Sequence, residues 1–191
     1  MLKRIKKKFS KPGTEWQPLN EKCLNGKVDE VKKALEKGED PNWILGWCCH
    51  DQRALCNDEC HDKSCSHHPG KTPLMAATVG NHPEVVALLL SQPGIKVNAK
   101  SSLFGQTALH LAIEKGSDAA LSLLLAAPGM DLNARDGFDW GGLRNTPIQD
   151  AIEFGNINAV RLIASVAEVD LDVKTPGGEG LEDLAQWDTH S

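Results

Sequence analysis

Apolar residues recur along this chain in short helical bursts, without the strict alternation of a half-buried strand. TPLMAATVGNHPEVVALLL (72–90), TALHLAIEKGSDAALSLLL (107–125) and TPIQDAIEFGNINAVRLI (146–163) share one pattern. Each opens on Thr, continues with Pro or a small residue and an aliphatic, passes a central Gly and closes on a run of aliphatics. QPLNEKCLNGKVDEVKKAL (17–35) is a fourth, more polar copy. For the copy at 107–125 the pattern predicts a helical hairpin. Thr107 caps a short helix whose apolar side is Leu109, Leu111, Ala112 and Ile113. Gly116 ends that helix, and a second one buries Ala120, Leu121, Leu124 and Leu125. A hairpin this small cannot cover its own apolar face, so the copies must stack into one continuous core. The predicted fold class is an all-α solenoid of helix–turn–helix repeats.

TALHLA (107–112) and TPLMAA (72–77) resemble the ankyrin repeat, a unit of about 33 residues with the signature T-P-L-H-x-A. TPIQDA (146–151) and QPLNEK (17–22) match it more loosely, and the resemblance covers roughly residues 15–185. It implies repeats at about 15–42, 70–98, 105–133 and 144–172, with a partial cap at 173–187 in which Leu181, Leu184 and Trp187 close the stack. Residues 1–14 form a basic N-terminal tail and 186–191 a C-terminal tail. The successive repeat starts, Gln17, Thr72, Thr107 and Thr146, are 55, 35 and 39 residues apart. The excess falls between the final Asn of one copy and the Thr of the next. In the ankyrin family that segment is the projecting β-hairpin finger, so the first finger carries a long insertion at 43–69. Lys22, Glu30, Lys32 and Lys33 give repeat one the polar outer surface of a terminal repeat. His110 stands at the family's usual histidine position and reads as structural. Cys23 takes a small-residue core position and reads as buried and inert.

Charge narrows the choice of partner. The formal charge of −5 combines 21 Lys and Arg with 26 Asp and Glu, but residues 1–11 (MLKRIKKKFSK) hold six of the basic residues and no acid. The rest of the chain therefore carries about −11, which repels nucleic acid. No apolar run approaches the ~18 residues that span a membrane, and no hydrophobic segment of the secretory type follows the basic start. The expected setting is intracellular and cytoplasmic, or the cytoplasm of a host cell if the chain is a delivered bacterial protein. Within 1–11, Leu2, Ile5 and Phe9 share one helical face among lysines, a pattern suited to weak contact with an anionic membrane. The run KRIKKK equally suits nuclear import, and a solvated tail is the third reading.

The insertion holds the chain's most reactive chemistry. WCCHDQRALCNDECHDKSCSHH (47–68) contains five of the six cysteines and four of the seven histidines. With almost no apolar content it has no core of its own, so metal ligation would give it a shape. Cys56 and Cys60 are four residues apart on a helix-prone stretch, which puts both thiols on one helical face. Cys65 and Cys49 can fold back from the flanks to complete a tetrahedral site, with Cys48, His50 and His68 as alternates. Zinc, as a structural ion, is the metal that thiolate and imidazole ligands favour. An odd number of clustered cysteines argues against a disulfide knot. A catalytic Cys/His pair would need a pocket and an orienting partner.

Trp43, Trp47, Phe104, Phe138 and Trp140 all fall in the three finger segments, which project along one edge of such a stack. They are candidate partner-binding residues, and packing of the fingers on one another is the alternative. The function expected is protein–protein interaction, as an adaptor, scaffold or inhibitor without catalysis, by a monomer bearing one structural zinc. An enzyme or enzyme-recruiting module built on the Cys/His insertion is the competing reading.

Overall fold

The computed structural model describes residues 19–44, 70–101, 104–137, 144–166, 169–170 and 172. Eight helices lie among them, paired as four hairpins: α1 (Leu19–Leu24) with α2 (Val28–Glu36), α3 (Pro73–Val79) with α4 (Pro83–Leu90), α5 (Ala108–Glu114) with α6 (Asp118–Leu125), and α7 (Pro147–Glu153) with α8 (Ile157–Ala164). The first helix of each hairpin packs on its counterparts to make an inner layer in the order α1, α3, α5, α7. The second helices make an outer layer in the order α2, α4, α6, α8. Between the layers runs one core that includes Cys23, Leu74, Leu89, Leu109, Leu121, Leu124, Ile148 and Ile163. Burial of each Leu or Ile stabilises the stack by about 1.5–3 kcal/mol. Among the described residues no helix is long and apolar enough to cross a membrane.

The repeated Thr earns its place at the start of the inner helices. Thr72 accepts the Met75 N–H at 3.2 Å, which satisfies one of the open donors of the first turn of α3. At Thr107 and Thr146 the return bond of the capping box is well formed. The Thr107 N–H donates to His110 Nδ1 at 3.3 Å, and the Thr146 N–H to Gln149 Oε1 at 2.9 Å. Each hairpin then reverses on a residue in the left-handed region: Gly26 (φ 67), Asn81 (φ 54), Gly116 (φ 62) and Gly155 (φ 62). Asn replaces Gly in the second copy because its short polar side chain tolerates that conformation best among residues with a Cβ.

Three ladders of polar contacts link the repeats. At the hairpin turns, His82 Nε2 lies 3.0 Å from the Leu24 carbonyl, Ser117 Oγ donates to the Thr78 carbonyl at 3.3 Å, and Asn156 Nδ2 donates to that of Ile113 at 3.1 Å. At the far end of the outer helices, Asn42 donates to the Gly94 carbonyl at 2.9 Å and accepts the Lys96 N–H at 2.7 Å. Asn98 treats Gly129 and Asp131 in the same way, and Asn133 accepts the Asp170 N–H at 2.9 Å. Along the inner layer, Asn20 Nδ2 donates to the Lys71 carbonyl at 2.5 Å, and His110 Nε2 lies 3.2 Å from that of Asn145. Every rung joins one copy to the next, so the register of the stack is fixed at three heights.

Two expectations need correction. The fingers were expected as β-hairpins, but among the described residues none carries a strand. The second finger is closed by the Ser101 N–H on the Gln106 carbonyl at 2.8 Å, and the third by the Asp136 N–H on the Asn145 carbonyl at 3.0 Å. Among the described residues each base shows one such pair, and one pair is too little for a ladder. Leu125, expected in the core, is half-buried, because the last turn of α6 runs out past the core-facing Leu121 and Leu124.

Candidate partner-binding face

The residue before each helix-capping Thr lies at the base of a finger, above the inner helices. Lys71, Gln106 and Asn145 occupy this position in repeats two, three and four. Gln106 Nε2 donates to Glu114 Oε2 at 3.1 Å, and Asn145 Nδ2 to Glu153 Oε2 at 2.6 Å. The same eight-residue span thus joins finger base to helix end in two successive copies. Glu114 is paired further with Lys115 Nζ at 2.6 Å. Burial raises the Glu114 carboxyl, but Lys115 and Gln106 outweigh it and hold the group below the usual range. Lys71 is pushed below its ordinary value by burial and by Lys115, with Glu114 opposing. The inner face is therefore a row of alternating basic, amide and acidic groups.

Repeat four departs from that balance. Asp150 is the fifth residue of TPIQDA, where Ala76 and Leu111 stand in repeats two and three. It is 3% exposed, and among the described residues its Oδ2 has no hydrogen-bond partner. Burial pushes its carboxyl up to about 7, and the neighbouring Asp136, Glu153 and Glu114 push the same way, while the Asn145 amide opposes them. Asp136 accepts the Asn145 N–H at 2.7 Å and is itself raised by burial. Three acids thus gather around one asparagine. Sequence reading passed over Asp150, although an acid at a position filled by Ala and Leu in the sister copies is a visible signal.

On the finger side, Trp43 (41% exposed), Ile44 (41%) and Phe104 (57%) present apolar surface to solvent. Phe104 is fixed through its backbone, its carbonyl accepting the Gly137 N–H at 2.7 Å. Lys100 Nζ donates to the Arg135 carbonyl at 2.7 Å, so the second and third fingers meet at their bases. Of the five aromatics singled out from sequence, Trp43 and Phe104 are exposed as expected. Trp47, Phe138 and Trp140 lie outside the described residues. So do the candidate zinc ligands Cys49, Cys56, Cys60 and Cys65 and the alternates Cys48, His50 and His68. Among the described residues no three His, Cys, Asp or Glu side chains are placed to hold a metal ion.

The two residues read as structural behave as such. His110 is fully buried and caps its own helix. Thr107 N–H and Oγ1 (2.8 Å) both approach Nδ1, so the ring accepts there and donates from Nε2 to the Asn145 carbonyl. Burial drives its pKa down to about 4, which keeps that neutral tautomer in place. Cys23 is 0% exposed, and burial pushes its thiol up to about 12. At that value it carries no thiolate for chemistry near neutral pH.

The capped inner helices, the glycine-type turns and the stacking of four hairpins meet a family model for ankyrin repeats in three copies, which matches residues 2–136 and again 102–175. The chain belongs to the ankyrin repeat family. No curated protein matches it. Ankyrin repeats are in general protein–protein interaction modules, so the inner face and the finger side are the surfaces on which to seek a partner.

Proposed function

We propose that this ankyrin repeat protein is a binding module without catalytic activity. It grips a protein partner through the exposed aromatics of its fingers and the polar row along its inner helices. The observation that carries this reading is the pairing of solvent-exposed Trp43 and Phe104 with a polar inner face fixed residue by residue to the stack. Exposed aromatics on a rigid frame bury large area at little entropic cost, which is how binding hot spots arise. The adaptor, scaffold and inhibitor roles differ only in what else the partner binds. The test is affinity capture with the parent chain and with a Trp43→Ala, Phe104→Ala double variant. Loss of a parent-specific partner, with the helical circular dichroism unchanged, is expected. Equal recovery by both would sink the reading.

The insertion at 43–69 belongs to the same proposal. Four side chains drawn from its five cysteines and four histidines bind one structural zinc, with Cys49, Cys56, Cys60 and Cys65 as preferred ligands and Cys48, His50 and His68 as alternates. The ion supplies the shape that an insertion with too few apolar residues for a core of its own lacks, and the shaped finger adds to the recognition surface.

A further inference from the structure

At the end of the inner helices away from the fingers, the hairpin turns line an edge of the stack. Register makes repeat four the odd copy there. The residues that enter the turn are Asn25, Gly80, Lys115 and Phe154, and those that open the outer helices are Val28, Pro83, Asp118 and Ile157. Phe154 is 51% exposed and Ile157 66%. The first turn of the other outer helices carries acids, Asp29 and Glu30, Glu84, and Asp118, as the positive end of a helix favours. That of α8 carries none. An exposed Phe and Ile at this place have no such local reason. Phe154 also walls a groove of about 420 Å³ between the turns of repeats three and four, lined further by Ile113, Gly116, Asp118, Asn156 and Asn158.

We propose that this groove and the exposed Phe154 and Ile157 receive the chain's own N-terminal segment, residues 2–9, folded back along the turn edge. Three long segments lie outside the described residues: 1–18, 45–69 and 173–191. The last two carry more acid than base, four against two and four against one, and an acidic edge repels them. Residues 1–18 hold six Lys and Arg against one Glu. On the edge, Lys27 and Lys115 are ion-paired with Glu30 at 3.3 Å and Glu114 at 2.6 Å, so among the described residues Asp29, Glu84 and Asp118 have no ion pair. Leu2, Ile5 and Phe9 recur at helical spacing among the basic residues, which lets one apolar side settle on Phe154 and Ile157 while the cations meet the acids. The length suffices. Packed helices stand about 8–10 Å apart, which puts repeat four about 24–30 Å from repeat one. The ten residues from Phe9 to Leu19 reach about 33–36 Å when extended. Once docked, the segment has its apolar side covered, so docking and membrane contact exclude each other. The turn edge is separate from the fingers and the inner face, and the inference does not depend on the partner proposed for them.

The test is hydrogen exchange of residues 2–9, followed by mass spectrometry in the full chain at low salt and compared with a synthetic peptide of residues 1–18. Exchange in the parent is expected to be about tenfold slower than in the peptide. The protection is expected to vanish in a Phe154→Ser, Ile157→Ser variant and in a Leu2→Ser, Ile5→Ser, Phe9→Ser variant, and to weaken at about 1 M salt. Val28→Ser, which alters an exposed apolar residue at the far end of the same edge, should change it less than twofold. Helical circular dichroism checks that each variant keeps the stack, and the tail variant leaves every described residue untouched. Exchange in the parent at the peptide's rate, or protection that survives Phe154→Ser, Ile157→Ser, would overturn the proposal. So would protection that is lost on dilution from about 100 to about 1 μM, which would put the segment on a second copy.

Discussion

Asp150→Asn should stabilise this protein at alkaline pH. The carboxyl sits at about 7 in the folded chain against an ordinary 3.8. Below about pH 4 it is protonated in both states and costs nothing. As pH rises from about 4 to about 7 the unfolded chain gives up the proton and the folded chain keeps it, so the folded state loses stability. Above about 7 the penalty is complete. At ~1.4 kcal/mol per pKa unit the ceiling is about 4 kcal/mol. Asparagine removes the titration but leaves an amide N–H where Oδ2 was unpartnered, at a cost of about 1–3 kcal/mol if no acceptor is found. The advantage of the variant is therefore expected to grow by about 2 kcal/mol between pH 5 and pH 8, or ~4–8 °C in Tm for a chain of this size. Urea unfolding of parent and variant at pH 5, 6.5 and 8, compared as a difference, cancels the titrating groups that do not interact with Asp150. A difference that stays constant across that range would refute the assignment of a raised, repelled carboxyl.

His110 works in the opposite direction. Held at about 4 against 6.5, it stays neutral in the fold while the unfolded chain takes a proton, so stability is lost as pH falls from about 6.5 towards 4. The two groups oppose each other in that window, and the Asp150→Asn background should unmask a stability that rises with pH. His110→Gln should cost under ~1.5 kcal/mol, since Gln149 already makes the same cap on Thr146. His110→Ala, which orphans the Thr107 N–H and takes one of two donors from the Asn145 carbonyl, should cost about 2–4 kcal/mol in denaturant unfolding, the lost buried volume included. Gly105 adopts φ +62, and a Cβ there would sit 2.5 Å from the Gly137 carbonyl oxygen. Gly105→Ala should therefore cost ~2 kcal/mol or more and speed amide exchange at Gly137, whereas unchanged exchange would remove the argument. For the insertion, metal analysis should find about one zinc per chain, lost in a Cys56→Ser, Cys60→Ser variant. A zinc-free parent purified without chelator would dismiss the site.

What the sequence disclosed follows from how the information is written. The stack was legible because Thr72, Thr107 and Thr146, the glycine-type turns and the aliphatic runs repeat. A periodic signal survives an irregular insertion between its copies. The roles of His110 and Cys23 followed once their register was known, because register specifies burial. Asp150 escaped notice because its importance comes from neighbours distant in sequence, Asp136 on a finger and Glu114 on the preceding repeat. The fingers were legible as locations but not as backbone, since one closing pair leaves too little pattern to distinguish a strand from a turn. Trp43 and Phe104 could be placed by topology alone, because a residue that follows the last Asn or precedes the next Thr must leave the core.

The contacts at the two ends of the long insertion have a practical consequence. On one side Asn42 grips Gly94 and Lys96; on the other, Asn20 grips the carbonyl of Lys71. Both ends of the excursion are thus fastened to the seam between the first two repeats. Lengthening a closed loop costs only about 0.6 kcal/mol per doubling. The solenoid therefore serves as a display frame. A foreign segment of quite different length and composition can be spliced between Ile44 and Gly70 while the helices keep their register, and new specificity can be acquired there without renegotiating the core.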